Sequence, residues 1–387
     1  MRFNFSILLN GVPFALAQIL AGREIVIPDK YIISLKTSIP ETAVENHLRW
    51  VQEVHNKRDL SRRDLVGVEK TFGIGSFHAY TGSFDEETLR EIQADEVVER
   101  VEPDTSIYPF DVVSQQQATW GLGTISHVAP IDANDNLRDG FEYRHEENGG
   151  EGRAELGYTV FADIPFEDST GHGTHVAGTI ASKTWGVAKK ARVIAVKVIA
   201  PGRGVMSDFM DGFSWAVNNI TSIPGRAAVS VINMSLGGPI NYAFDSLVHA
   251  ASEQGILSVV SAGNAGVDVN RVSPAGVVSA ITVAASAANN TVLSYSNFGS
   301  KVDLYAPGVD VYSLSLEAGK DVALTGTSMA SPHVSGLVLY LKSLEGGLES
   351  VEAVTARILE LAKPDVINGV PEYTPNLLAY NGVEASL

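Results

Sequence analysis

The chain has 387 residues, room for two or three domains of ordinary size, and is 45% hydrophobic and 19% charged with 36 Gly and 16 Pro. That composition suits a large globular α/β protein with many tight turns and argues against a disordered or fibrous one. A formal net charge of −17 makes nucleic acid a poor partner, and the lack of cysteine excludes a disulfide scaffold, a cysteine nucleophile and thiolate metal sites.

At the N-terminus, Arg2 precedes a mostly apolar run from Phe3 to Leu20, and Ala15-Leu16-Ala17 offers an A-x-A cleavage site. The run predicts a signal peptide over residues 1–17 and an extracellular protein, although Asn10 and Gly11 interrupt it and a buried N-terminal helix is the rival reading. No other stretch reaches about 18 uninterrupted apolar residues, so no membrane span is expected.

Residues 28 to about 110 form a unit of their own. Tyr31–Lys36 alternates like a strand, and Pro40–Lys57 carries Val44, Leu48, Val51 and Val54 on one helical stripe. A β-rich stretch covers Val68–Phe84, a second helix Asp85–Ala94, and a last strand Val97–Val101 ends at a Pro103-Asp104 turn. The order β-α-β-β-α-β is the split-βαβ, ferredoxin-like arrangement. Polar residues 111–119 read as a linker open to processing, or as an ordinary surface loop.

From Trp120 onward strands and helices alternate. Val193–Ile199, Val229–Met234, Leu257–Ser261 and Ala280–Ala284 are apolar, mostly β-branched runs, as strands buried on both faces require. Helices are predicted at His175–Ser182, Asp208–Asn219, Phe244–Gln254 and Ser328–Leu344. The alternation predicts an α/β fold with a doubly wound, mainly parallel sheet and its site at the strand C-terminal ends.

Three short segments carry chemistry. Gly171-His172-Gly-Thr-His175 places a histidine between glycines, where a substrate can approach a base. A lone histidine is often structural, and His172 with His175 could be a metal pair, although no third ligand segment is evident. Asn264, after the Leu257–Ser261 strand, could donate to an oxyanion or simply make a turn. Gly326-Thr-Ser328-Met-Ala-Ser-Pro332-His333 puts a serine at a helix start, as a nucleophile or as an ordinary N-cap. A lipase-type elbow fits less well, because Ala330 stands where it needs glycine and the strongest histidine precedes the serine.

Together these segments resemble the subtilases, most closely the cysteine-free fungal alkaline proteases of the proteinase K type (oryzin-like). The similarity runs from about Pro28 to Leu387 and includes Trp120–His127, Asn233–Gly238, Ser296–Gly299, Tyr305–Gly308 and Pro375–Asn381. The resemblance implies a secreted, monomeric serine endopeptidase acting on proteins and peptides. Its domains would be residues 18–113, an inhibitor-type propeptide that blocks the cleft, and residues 114–387, the peptidase. It assigns His172 as general base, Ser328 as nucleophile and Asn264 as oxyanion donor. Ser235, Leu236, Gly237 and Gly238 with Gly202 and Gly204 would be the substrate-binding edges, with Ala262 and Gly263 beside them. Asp303, with main-chain oxygens near Val278 and Ala280, matches a structural calcium position.

One part of the pattern breaks. Relatives carry an apolar strand ending in the triad aspartate between the segments matching Ile125–His127 and Gly152–Ala154, and this chain has no such apolar run there. Asp139 is the nearest remaining acid, since Asp168 precedes His172 too closely. Loss of the acid costs about 10⁴-fold in rate, so the alternative is an impaired pseudo-protease that binds peptides without cutting them. Asn219-Ile-Thr and Asn289-Asn-Thr are glycosylation sequons available to a secreted chain, whereas Asn233-Met-Ser should stay bare.

Overall fold

The computed structural model describes residues 26–57, 65–109, 113–114, 153–317 and 320–382. The signal peptide, most of the 111–119 linker, the Trp120 segment and Asp139 lie outside the described residues.

The N-terminal unit runs β1 (Val26–Leu35), α1 (Glu41–Lys57), β2 (Gly67–Ile74), β3 (Phe77–Ser83), α2 (Glu86–Ala94) and β4 (Val98–Thr105). The strands form one antiparallel sheet in the order β2-β3-β1-β4, the split-βαβ topology. Asp85 starts α2 by accepting from the Glu87 and Thr88 amides. Ile33 and Leu35 face Val44, Val51 and Ile92 of the two helices, while neighbouring Ile32 faces the opposite side with Phe72, Ile74 and Phe77. The period of two thus gives this sheet a second apolar face.

The expected turn at Pro103-Asp104 is instead part of β4. Pro103 pairs with Tyr31 and Thr105 with Val26. β4 is an edge strand, where a missing amide can be tolerated.

The chain continues through β5 (Tyr108–Pro109), β6 (Val113–Ser114) and β7 (Ala154–Thr159) to α3 (His172–Ala181), β8 (Val193–Lys197) and α4 (Met206–Thr221). Then come β9 (Val231–Met234), β10 (Leu236–Pro239), α5 (Tyr242–Glu253), β11 (Leu257–Ser261), β12 (Val272–Ser273) and β13 (Ile281–Ser286). The last elements are β14 (Leu304–Pro307), β15 (Val311–Leu314), β16 (Asp321–Thr325), α6 (Thr327–Leu344), α7 (Val351–Leu361), β17 (Lys363–Pro364) and β18 (Leu377–Leu378). The central sheet has the order β17-β18-β14-β13-β11-β9, parallel except for β17. Helix α6 is buried against β11, β13 and β14 through Ala330, Val334, Leu337 and Val338.

Sheet continuity differs from the single sheet expected. β7 and β8 form a separate parallel pair, and among the described residues neither β8 nor β9 has a partner on its other edge. Leu156 is 68% exposed and Ile194 41%, whereas every residue of β11 and β13 is buried.

The second face of the N-terminal sheet rests on two helices of the larger unit. Ile32, Phe72, Ile74 and Phe77 share one core with Phe209, Phe213, Phe244 and Leu247. Two carboxylates of β4 finish the contact at the helix N-termini. Glu102 accepts from the Tyr242 and Ala243 amides at 2.9 Å each, and Asp104 accepts from the Ser207 amide at 3.1 Å and from its hydroxyl. Each satisfies donors that a helix start leaves unpaired and places negative charge at the positive end of the dipole.

Candidate active site

Helix α6 begins right after Gly326, and Ser328 is its second residue, wholly buried. Pro332 lies in the second turn and lacks the amide that would bond Ser328 O four residues back. Ser235 supplies the replacement. Its hydroxyl donates to Ser328 O at 2.9 Å and shares a 2.8 Å bond with the Ser331 hydroxyl. In return Ser328 Oγ donates to Ser235 O at 3.1 Å.

His172 opens α3, behind Gly171 in the left-handed region at φ +82°. Helices α3 and α6 pack together, with Val176 and Ile180 against Met329. His172 Nε2 is buried and has no hydrogen-bond partner among the described residues. Burial lowers the imidazole to about 4 against the opposing pull of the Asp168 carboxylate, so it is neutral at neutral pH. The Asp168 oxygens are committed to the amides of Thr170, Gly171 and Thr174 at 2.7–3.0 Å and to the Thr174 hydroxyl at 2.8 Å. Those bonds outweigh the cost of its burial and hold it below the usual carboxylate range. His175 is held in the core, where Nε2 donates to Val311 O at 2.8 Å.

Asn264 sits beside the same helix start. Its Oδ1 accepts from both the amide and the hydroxyl of Thr327 at 2.9 Å, which directs the other branch of the amide, the Nδ2 donor, away from Thr327. Thr327 Oγ1 also accepts from the Gly263 amide at 3.0 Å. Asn297 binds the carbonyls of Ala262 and Gly263, and Ala262 N bonds Val283 O. All four main-chain groups of Ala262-Gly263 therefore bond within the fold.

The edges expected to bind peptide are occupied by the chain itself. Pro109 pairs with Leu236 and Tyr108 with Gly237, antiparallel, while Ser106 bridges to Val205 and Ile107 N donates to Gly204 O at 3.1 Å. Residues 106–109 therefore lie as an extended strand between two others, the geometry of strand addition. A Cβ on Gly238 would stand 3.1 Å from Ile107 Cγ2, so glycine there permits the close approach. Gly202 lies at φ +72° in the turn closed by Ala200 and Arg203.

A buried serine at a helix start, a neutral histidine with a buried Nε2 and a cleft filled by an N-terminal segment fit a blocked hydrolase site. Residues 139–379 match the subtilase family, and residues 30–109 match the peptidase inhibitor I9 family. The chain is 46% identical over 383 residues to the subtilisin-like proteinase Mp1 of Magnaporthiopsis poae, covering 93% of each sequence. It is 45% identical over 380 residues to alkaline protease 1 of Emericella nidulans, covering 92% of each. The chain belongs to the subtilase family.

A solved cold-adapted subtilisin-like serine proteinase superposes with a TM-score of 0.56 at 30% identity, covering 69% of this chain and 99% of that one. The subtilase is accordingly a serine endopeptidase of α/β fold that carries its own inhibitor propeptide. The comparisons lend no support to a non-catalytic protein.

Sequence reasoning missed Thr327, Asn297 and the reciprocal role of Ser235. Each is a small polar residue beside a motif glycine or serine, and only the buried bonds single it out. Asp303 lies at the start of β14, where Oδ2 accepts from the Thr282 amide at 2.7 Å, and burial raises it to about 6.

Proposed function

We propose that this subtilase hydrolyses peptide bonds through Ser328 as nucleophile and His172 as general base, with Asn264 Nδ2 and the Ser328 amide as oxyanion donors. The supporting observation is the extended segment 106–109 bound along Leu236–Gly237 beside Ser328, the placement a substrate strand needs. The neutral imidazole suits proton abstraction, and the Thr327 bonds hold Asn264 in one orientation before any charge develops. Ser235–Gly238 and Gly204 supply the edges that hold substrate.

Asp139 remains the proposed acid that orients His172; it lies outside the described residues. Asp168 is poorly suited to that work, because its oxygens are already bonded to the Thr170–Thr174 turn. Asp303 is the residue that would hold a structural calcium ion, since a bound cation would offset the cost of burying its carboxylate. No catalytic step uses that ion.

Secretion fits the apolar N-terminus. Among the described residues no helix is long and apolar enough to cross a membrane. Asn289 is exposed and suits glycosylation, whereas both ends of the Asn233 amide are bonded, to Ser235 and Ser335. The deciding experiment is hydrolysis of a chromogenic peptide by the secreted chain. Activity lost in Ser328→Ala and in His172→Ala supports the assignment, and activity retained in either overturns it.

A further inference from the structure

The strand that fills the cleft does not stop at its edge. Pro109 pairs with Leu236 and Tyr108 with Gly237, Ile107 N donates to Gly204 O at 3.1 Å, and Ser106 bridges to Val205. Two residues further back, Asp104 reaches the start of α4 and accepts from the Ser207 amide at 3.1 Å and from the Ser207 hydroxyl. Asp104 is 1% exposed and Ser207 7%, so this contact is buried. One continuous track therefore joins the cleft to a helix N-terminus.

Helix α4 has no acceptor of its own for that amide. Helices α2, α5 and α7 are capped by the side chains of Asp85, Asn241 and Ser350, but the N-cap of α4 is Val205, whose side chain accepts nothing. The acceptor comes instead from the strand lying in the cleft. When the propeptide leaves, the Ser207 amide and hydroxyl lose it together.

We propose that Ser207 forms a distal substrate subsite, which selects an acidic side chain six residues before the residue whose carbonyl is attacked. This rests on the reading of Ser328 as the nucleophile of an endopeptidase. The position follows from the ladder. Ser235 O accepts from Ser328 Oγ at 3.1 Å, so the attacked residue of a substrate lies opposite Ser235, one step beyond the residue paired with Leu236. Asp104 stands five residues before the partner of Leu236. A substrate carboxylate at that place gains two hydrogen bonds and the positive end of the α4 dipole. Asp208, one residue beyond Ser207, opposes a negative charge there, and Lys70, which now bonds Asp208, departs with the propeptide. The gain is therefore modest. An acid one residue earlier or later on the strand faces the other side and misses the helix start.

The test is steady-state hydrolysis of a series of ten-residue peptides by the enzyme freed of its propeptide. The peptides share one cleavage position and differ only in where a single Asp replaces Ala upstream of it. With Asp six residues before the attacked residue, KM should fall about fivefold against the all-Ala peptide, at unchanged kcat. Asp one residue to either side should give no gain. Ser207→Ala keeps the amide and removes the hydroxyl, so the KM ratio between the two peptides should shrink to about twofold. Equal KM for the Asp and Ala peptides in the unsubstituted enzyme overturns the subsite. So does an equal gain at every position, which is the mark of charge alone, or a full fivefold ratio retained in Ser207→Ala. In all three cases hydrolysis itself leaves the enzyme assignment standing, whereas a chain that cuts none of the peptides overturns both.

Discussion

Ser235 and Ser328 exchange hydrogen bonds: the Ser235 hydroxyl donates to Ser328 O, and the Ser328 hydroxyl donates to Ser235 O. The first bond satisfies a carbonyl that Pro332 leaves without its helical donor. The second holds the nucleophile on the strand that also carries the propeptide tail. A helix defect and a resting position for the nucleophile thus share one residue.

Ser235→Ala removes a buried hydroxyl and leaves Ser328 O and Ser331 Oγ with one partner fewer. The expected loss is about 1–3 kcal/mol of stability. A urea midpoint shifted to lower concentration at an unchanged slope checks it, and an unchanged midpoint contradicts it.

Asn264→Ala should lower kcat by on the order of 10²–10³ with little change in KM, a magnitude carried over from subtilisin itself. Thr327→Val keeps the amide but removes one of the two bonds to Oδ1, so a smaller loss in kcat is expected. Steady-state kinetics on a chromogenic peptide distinguish this from a binding defect, which would raise KM alone.

Glu102→Ala and Asp104→Ala, which remove the acceptors from the two helix starts, should each weaken propeptide binding by about 0.5–2 kcal/mol, the range of a helix cap. Burial raises both carboxylates above their ordinary range even though the helix amides oppose it. Arg100 and Lys30 pull the other way, while Asp208 adds to the rise at Asp104, and Glu102 in turn raises Asp245. The docked propeptide therefore binds protons more tightly than the released one. Its hold is greatest below the ordinary carboxylate range near 4 and declines as pH rises through the raised values. Inhibition constants of the propeptide measured from pH 4.5 to 8 should increase, and a constant that falls with pH contradicts the linkage.

Asp139→Asn should reduce kcat by about 10⁴ if this carboxylate holds the His172 tautomer. Asp168→Asn should instead act on stability, because its five donors lie in the turn before α3 and in the first turn of that helix. Comparing kcat with the thermal midpoint for the two variants separates the roles. A large kcat loss in Asp168→Asn at an unchanged midpoint would transfer the orienting role to it.

Local patterning made most of the fold legible. The period of two over Tyr31–Lys36, the stripe of Val44, Val51 and Val54, and the β-branched run at Leu257–Ser261 each depend on near neighbours, and all lie in the elements expected. Pro103-Asp104 misled because turn propensity is weak against a distant partner, here the start of α4 bonded to Asp104.

For His172 and Ser328, spacing and glycine context already pointed to a base and a nucleophile, because that chemistry constrains residues next to each other in the chain. What supports those two residues was decided only in three dimensions. Ser235 is 93 residues from Ser328 and Thr327 is 63 from Asn264, and no local signal encodes a bond across such a span. The same holds for the blocked cleft. Sequence separated a propeptide from a peptidase, but only the pairing of Tyr108–Pro109 with Leu236–Gly237 shows where the chain lies against its own nucleophile. Register is a property of two strands together, and neither strand alone carries it.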